Sequence, residues 1–300
     1  MKFKIKPILP VLIFIAVSCS SCDIYFQKPV LEFTKKNKFQ VIDPYIEILQ
    51  KTIDSITKVK REKGFTHIDY ALLWVANSAE YKALCYQAYN LAKLRLDQKL
   101  SSRRAKKPAI VLDLDETVLS NLPYYLTLYL EGDEYSEESW GKWVEYRGAE
   151  AIPGTKEFLD YAKSRNVEIF YISNRSEKSI DATFDNIAAL NLPITRDHLL
   201  LKNEAESKET RREVVRQGFD IILLVGDNLI DFNELFDKKP TSKHRDELVT
   251  KNYKDYGDKF IMLPNPLYGQ WFSSLLNYDY NHNPETKFKI TKQSLLSLLH

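Results

Sequence analysis

The chain has few cysteines, few glycines and no long apolar run. Only Cys19, Cys22 and Cys85 occur among its 300 residues, which excludes a framework of disulfides. Nine glycines and twelve prolines, with no run of either, exclude collagen-like, elastic and low-complexity architectures. No segment repeats at the periods that solenoids use. No apolar stretch approaches the roughly eighteen residues that a transmembrane helix needs. Charge of one sign is also scarce: the formal net charge is +2, too weak a field to bind a nucleic-acid polymer through its phosphates. His67, His198, His244, His282 and His300 show no metal-ligand spacing, so a zinc hydrolase is excluded and they read as surface residues. Cys85 has no arginine six residues on, which removes a cysteine-based phosphatase. Gly141-Lys142 is followed by Trp143, so G-K-[ST] is absent, and His244-Arg245-Asp246 has no G-x-G-x-x-G to accompany it as a kinase loop would.

What is present is a composition of 44% hydrophobic and 28% charged residues, enough to bury a full core. The N-terminus reads Met1-Lys2-Phe3-Lys4-Ile5-Lys6, then an apolar run from Pro7 to Val17, then Ser18-Cys19-Ser20-Ser21-Cys22: the charged, apolar and small-residue regions of an export signal. Ala16-Val17-Ser18-Cys19 is similar to the lipobox of bacterial lipoproteins, where the cysteine is lipidated and becomes the mature N-terminus. Cys19 is therefore the expected lipidation site and Cys22 its competitor. An ordinary secretory signal with two incidental cysteines is the alternative. Loss of Lys2, Lys4 and Lys6 with the signal turns the formal +2 into about −1.

From about Val41 to Leu100 the pattern is helical, with Tyr81, Leu84, Ala88 and Leu91 spaced for one packed face. Cys85 reads as a core residue there, and Arg103, Arg104, Lys106 and Lys107 as a solvated linker. At Pro108 the character changes. Short apolar runs at Ala109–Leu112, Val167–Ile172, Ile221–Val225 and Phe260–Leu263 alternate with helical patterns, the clearest being Thr155–Arg165 and Lys208–Gln217, the latter with Gly218 expected just past its end. This alternation predicts an α/β fold with a mostly parallel sheet covered on both faces. Ligands of such sheets bind beyond the carboxyl ends of the strands.

At those ends lie Asp113 and Asp115, then Ser173 and Asn174, then Asp227 and Asp231. Residues two apart in an extended segment point the same way, so Asp113 and Asp115 converge. Adjacent carboxylates repel, and a hard cation held by oxygens relieves that repulsion. Asp227 supplies a third oxygen, and Mg²⁺ fits the set best. A carboxylate nucleophile, a second carboxyl that gives and takes a proton, and a cation suit phosphoryl transfer through an aspartyl-phosphate. Ser173 and Lys208 are placed to hold the phosphoryl oxygens, with Lys202 as the competing lysine.

Two long segments then carry a resemblance. Ile110-Val111-Leu112-Asp113-Leu114-Asp115-Glu116-Thr117-Val118-Leu119-Ser120-Asn121, with Tyr124 following, and Ile222-Leu223-Leu224-Val225-Gly226-Asp227-Asn228-Leu229-Ile230-Asp231-Phe232 resemble the two signatures of bacterial class C acid phosphatases. These are lipoprotein phosphatases of the haloacid dehalogenase (HAD) superfamily, often active on nucleoside 5′-monophosphates. Asn77-Ser78-Ala79-Glu80-Tyr81, Phe170-Tyr171-Ile172-Ser173-Asn174-Arg175 and Leu263-Pro264-Asn265-Pro266-Leu267-Tyr268-Gly269 are similar as well, so the likeness spans roughly residues 70 to 272. The resemblance implies a HAD-like Rossmannoid core. It makes Asp113 nucleophile and Mg²⁺ ligand, and Asp115 general acid then base, giving its backbone carbonyl to the metal. Asp227 is the third ligand, Asp231 a supporting residue behind the ligands, and Ser173 and Lys208 the phosphate holders. It also points to Trp140 and Tyr268 as the aromatic pair that sandwiches the substrate's ring, while Trp143 reads as packing.

The chain thus divides into a lipoprotein signal and tether start (1–22), a helical extension (23–107), a HAD-like core (108–275) with a small cap inserted at about 119–152, and an unassigned tail (276–300) with a final helix expected from Thr291. The reading is a magnesium-dependent acid phosphatase for small phosphomonoesters, lipid-anchored in the outer membrane or cell envelope of a bacterium, and compatible with a homodimer. A non-catalytic surface lipoprotein binding haem or a nucleotide, and a phosphotransferase, are the rivals.

Overall fold

Ser78 divides the first helical stretch in two: the computed structural model, which describes residues 67–203, 207–279 and 281–296, has helix α1 at His67–Asn77 and α2 at Ala79–Leu100. Cys19, Cys22 and the helical pattern expected over 41–66 lie outside the described residues. The Ser78 side chain accepts the Tyr81 backbone N–H at 3.0 Å, and Glu80 adds an anion to the first turn of α2. Tyr81, Cys85, Ala88, Tyr89, Ala92 and Leu96 form its buried face. Cys85 is a core residue as expected, but Leu84 is 40% exposed, because the buried stripe runs through Tyr81, Cys85 and Ala88 rather than through position 84.

Strands β1 (Lys107–Leu112), β4 (Glu168–Ser176), β5 (Leu199–Lys202), β6 (Phe219–Gly226) and β7 (Phe260–Met262) make one parallel sheet in the order β5-β4-β1-β6-β7. The chain leaves β1 toward β4 and β5, then returns to β6 on its other side, so direction reverses at β1 and a crevice opens at its carboxyl end. Four of these strands correspond to the apolar runs in the sequence. The fifth, β5, is only four residues long and has no alternation to reveal it.

Side chains alternate across β1. Ile110 and Leu112 enter the core beneath α2 and helix α5 (Thr155–Ser164), while Ala109 and Val111 enter a second core with Phe170, Val215, Leu224, Phe232 and Phe260. The register against β6 slips between Ala109 and Ile110, so Ile222 and Leu223 both reach the α2 side. Gly154, at the N-cap of α5, has φ +89°, and a Cβ there would press within 3.1 Å of Tyr86 and Tyr89.

Between β1 and α5, the two-residue strands β2 (Leu119–Ser120) and β3 (Glu150–Ala151) pair antiparallel and enclose helices α3 (Leu122–Glu131) and α4 (Glu137–Tyr146). Ser136 and Ser139 cap α4 reciprocally. The Asn186 amide, on helix α6 (Ile180–Ala189), bonds both the N–H and the C=O of Ala149, at 3.2 and 2.9 Å, which pins the far end of this insertion to the core.

Four further expectations change. Helix α7 (Lys208–Gly218) includes Gly218 and passes straight into extended Phe219, so that glycine is not a left-handed cap. Helix α8 (Ser242–Lys251), helix α9 (Gln270–Leu275) and helix α10 (Pro284–Leu296) complete the chain, and α10 begins at Pro284, before Thr291. The basic linker is tied to the sheet rather than simply solvated: Arg104 pairs with Asp220 and Lys107 with Glu168. His198 also departs from the surface reading, since its ring lies 3.9 Å from that of Phe170.

Candidate active site

The Asp113 N–H donates to Val225 O at 2.9 Å, so β1–β6 pairing continues past Leu112 and carries the Asp113 side chain to the mouth of the crevice. Beyond it the backbone folds back tightly. Leu114 O accepts the N–H groups of Thr117, Val118 and Leu119, and Glu116 takes φ +58°. The buried Tyr89 hydroxyl of α2 donates to Thr117 O at 2.6 Å, so the N-terminal helix braces this turn.

Buried carboxylates gather here. One oxygen from each of Asp113, Asp227 and Asp231 lies within 4.8 Å of the others. Asp227 Oδ1 accepts Thr117 Oγ1 at 3.3 Å and its Oδ2 accepts Asn265 Nδ2 at 2.7 Å. Asp231 Oδ2 accepts the Asn228 N–H at 2.9 Å. Gly226 makes room: a Cβ there would overlap the Asp231 carboxylate.

Lys208, at the start of α7, sends Nζ between Asp113 Oδ1 and Asp231 Oδ1, the latter at 2.6 Å. Burial opposes its charge, yet the two carboxylates prevail and hold the ammonium above the usual lysine range. One lysine does not balance three acids. Burial, only partly offset by Lys208, pushes Asp113 up to about 7, and burial together with the charges of Asp231 and Asp113 raises Asp227 well above the carboxylate range. A cluster that must hold protons for want of positive charge is the donor set a hard divalent cation fits.

On the other side of Asp113, Asp115 faces β4. Arg175 donates Nη2 to its Oδ1 at 2.8 Å and Nε to Oδ1 at 3.0 Å, and Asn121 Nδ2 reaches the same oxygen at 3.0 Å. Ser173 Oγ reaches Oδ2 at 3.3 Å. The crevice therefore brings Asp113, Asp115, Ser173, Lys208, Asp227 and Asp231 together. Lys202 stands at the end of β5, exposed.

Trp140 and Tyr268 belong to one run of aromatic rings, with Tyr124 and Tyr125 between them. Trp140 meets Tyr124 edge-on at 5.2 Å, Tyr124 meets Tyr125 edge-on at 5.1 Å, and Tyr125 stacks on Tyr268 at 5.0 Å. The Tyr268 hydroxyl donates to Glu116, which burial first, and the charge of Asp115 second, push up to about 8. Trp143 stacks on Tyr124 and donates its indole N–H to Asn121 Oδ1 at 2.7 Å.

A family model, HAD superfamily, subfamily IIIB (Acid phosphatase), matches residues 48–271, about three-quarters of the chain. The chain belongs to that subfamily. Among solved structures, a class C acid phosphatase from Bacillus anthracis is 41% identical, with a TM-score of 0.72 over 75% of this chain and 95% of its own. The same Bacillus enzyme has also been solved with tungstate bound. Among curated proteins, the stem 31 kDa glycoprotein of Glycine max is 28% identical over 53% of this chain and 58% of its own length. Acid phosphatase 1 of Solanum lycopersicum is 27% identical over 40% of this chain and 50% of its own. The chain thus spans little more than half the length of these two plant relatives.

In this subfamily IIIB chain, reading strand ends for acids passes over Asn121, Arg175 and Asn265, each of which touches an acidic residue of the site, and over Glu116, which accepts from Asn121 and Tyr268. One signal does mark Arg175. It stands two residues after Ser173 at the end of β4, so it shares that residue's face, and the burial pattern has both buried with Asn174 exposed between them.

Proposed function

We propose that this protein is a divalent-cation-dependent phosphomonoesterase, with Mg²⁺ as the cation, that hydrolyses small phosphomonoesters, above all nucleoside 5′-monophosphates, through an aspartyl-phosphate on Asp113. One observation carries the reading: three buried carboxylates gather beyond the ends of β1 and β6, and Lys208 pairs with two of them, Asp113 and Asp231. Asp113 and Asp227, with the backbone carbonyl of Asp115, would hold the cation, and Asp231 would support them while anchoring Lys208. When bound, the cation neutralises charge on the phosphoryl oxygens and lets Asp113 stay ionised near neutral pH.

The chain's own groups do the rest. Asp113 attacks phosphorus as the ester P–O bond breaks, and Asp115 gives its proton to the departing oxygen. Asp115, now a carboxylate, takes a proton from the water whose oxygen then attacks phosphorus, and Asp113 is released. Ser173 and Lys208 steady the phosphoryl oxygens. That the Bacillus relative has been solved with tungstate, a tetrahedral oxyanion, supports a phosphate-shaped site. Trp140 and Tyr268 form the platform for a flat base, since any base offers a π-face. Lipidation at Cys19 would place the enzyme on the cell envelope, where nucleotides become transportable nucleosides.

The test is release of inorganic phosphate from a panel of nucleoside 5′-monophosphates by the mature chain, with Mg²⁺ or with chelator, alongside Asp113→Asn. Cation-dependent release that the substitution abolishes is the expected result. Absence of release across pH 4 to 8 would overturn the reading.

A further inference from the structure

We infer that Arg175 is a positioning residue that fixes the rotamer of Asp115 so that its Oδ2 edge alone exchanges the proton with the leaving group. The inference rests on the acid–base role proposed above for Asp115.

The Arg175 side chain is 1% exposed, and its paired carboxylate is Asp115. A guanidinium this deeply buried is expensive unless an anion and full hydrogen bonding compensate it. Its other contacts are neutral: Nη2 to Asn121 Oδ1 at 3.4 Å and Nη1 to Thr183 Oγ1 at 3.4 Å. The guanidinium carbon stands 5.7 Å from the Trp140 ring centre. Two of its atoms thus hold one short acid.

The donors fall unevenly on the two carboxylate oxygens. Oδ1 receives Nη2 of Arg175, Nε of Arg175 and Nδ2 of Asn121 at 2.8, 3.0 and 3.0 Å. Among the described residues, Oδ2 has only Nε of Arg175 and Oγ of Ser173, both at 3.3 Å. Three close donors fix Oδ1, so Oδ2, whose two contacts are longer, is the oxygen left to exchange a proton with the substrate. Ser173 also ties the arrangement to substrate: its Oγ touches Oδ2 and accepts the Arg175 backbone N–H at 3.1 Å. A phosphoryl oxygen that draws the Ser173 hydroxyl away clears Oδ2 without disturbing Oδ1. The proton then passes from Oδ2 to the ester oxygen as the P–O bond breaks, and Oδ2 recovers a proton from the attacking water in the second half.

Asn121 extends the grip into the insertion, because its Oδ1 also accepts the Trp143 indole N–H at 2.7 Å. Arg175, Asn121 and Trp143 therefore lock Asp115 to the same helix, α4, that carries Trp140.

A purely structural ion pair and a positioning device differ in one measurable way. Proton donation matters greatly for an alkyl leaving group and little for p-nitrophenolate, which departs as an anion. The experiment compares kcat and KM for glycerol 3-phosphate and p-nitrophenyl phosphate with the wild type, Arg175→Ala, Arg175→Lys and Asp115→Asn, saturating Mg²⁺ being present and thermal melting monitored throughout. Mispositioning the acid should forfeit part of the about 10²–10⁴-fold that general acid catalysis supplies. Arg175→Ala is therefore expected to lose at least about tenfold more kcat on the alkyl ester than on the aryl ester, with KM changing less than kcat. Arg175→Lys, which keeps the charge but not the fork, should show the same selectivity to a smaller degree, and it decides the matter if Arg175→Ala does not fold. Added guanidinium should restore the alkyl reaction of Arg175→Ala selectively. Equal losses on both esters in the Arg175 variants, with Asp115→Asn selective, overturn the inference alone. Equal losses in Asp115→Asn overturn the acid–base reading beneath it.

Discussion

The shortage of positive charge around Asp113 has a consequence for stability that can be measured without substrate. In the cation-free protein Asp113 keeps its proton up to about pH 7, against 3.8 for an unperturbed aspartate. Between those values the folded chain binds more protons than the unfolded chain, so unfolding becomes easier as pH rises. The rise from 3.8 to about 7 bounds the loss at about 4 kcal/mol between pH 4 and 7. Lys208 adds no slope there, because its pKa is raised from a value already far above the window. Glu116 and Asp227 are raised as well and add slopes of the same sign. Asp113→Asn isolates the contribution of Asp113: it removes the titrating group, keeps its size, and leaves Lys208 paired with Asp231.

The assay is thermal unfolding in chelator at pH 4.5, 6 and 7.5. Wild type and Asp113→Asn should melt close together at pH 4.5. At pH 7.5 the variant should melt higher by up to about 10 °C, since about 1 kcal/mol moves Tm by 2–4 °C in a domain of this size. Mg²⁺ should stabilise the wild type increasingly toward pH 7.5, by about 2.7 kcal/mol at a hundred times its Kd, and do far less for the variant. A difference between the two proteins that stays constant with pH would refute the argument, whatever the slope of either alone.

Three other substitutions probe separate parts of the site. Gly226→Ala forces the Asp231 carboxylate aside, so the Mg²⁺ concentration for half-maximal activity should rise at least about tenfold, the order seen when groups supporting metal ligands are lost; an unchanged Mg²⁺ titration would count against the geometry. Tyr89→Phe removes the buried bond to Thr117 O and should cost about 1–2 kcal/mol, read as a lower Tm with KM nearly constant. Trp140→Ala should raise KM for nucleoside monophosphates by about tenfold or more, given the 1–3 kcal/mol a stacked base contributes, while KM for glycerol 3-phosphate stays within a factor of two; parallel increases would mean that the ring only packs α4.

The two levels of reading fail and succeed for physical reasons that particular residues show. β1 is legible because four buried residues, Ala109 to Leu112, end at an acid pair, and β6 because its apolar run meets Gly-Asp-Asn. β5 is not, since four residues at the sheet's edge offer no period. Leu84 misleads because a 3.6-residue period accommodates several apolar stripes on one helix, and only the partner surface selects among them. Gly218 misleads because a helix that runs directly into a strand needs no left-handed residue.

The site divides in the same way. Strand ends and the two-residue repeat place Asp113, Asp115, Ser173 and Asp227 from sequence, since those rules are local. Who neutralises whom is not local: Lys208 meets Asp113 across 95 residues and Arg175 meets Asp115 across 60. Those pairings sort Lys208 and Arg175 into two jobs. Lys208 stands with the carboxylates that would hold cation and phosphate, and it leaves them short of positive charge, which keeps a place for a metal. Arg175 stands with the carboxylate proposed to move protons and holds one of its oxygens with its closest donors, which would leave the other for the reaction. Exchanging the partners would neutralise the metal site and strand the acid, so the division of charge between β4 and α7 makes two neighbouring aspartates, alike in sequence, chemically different.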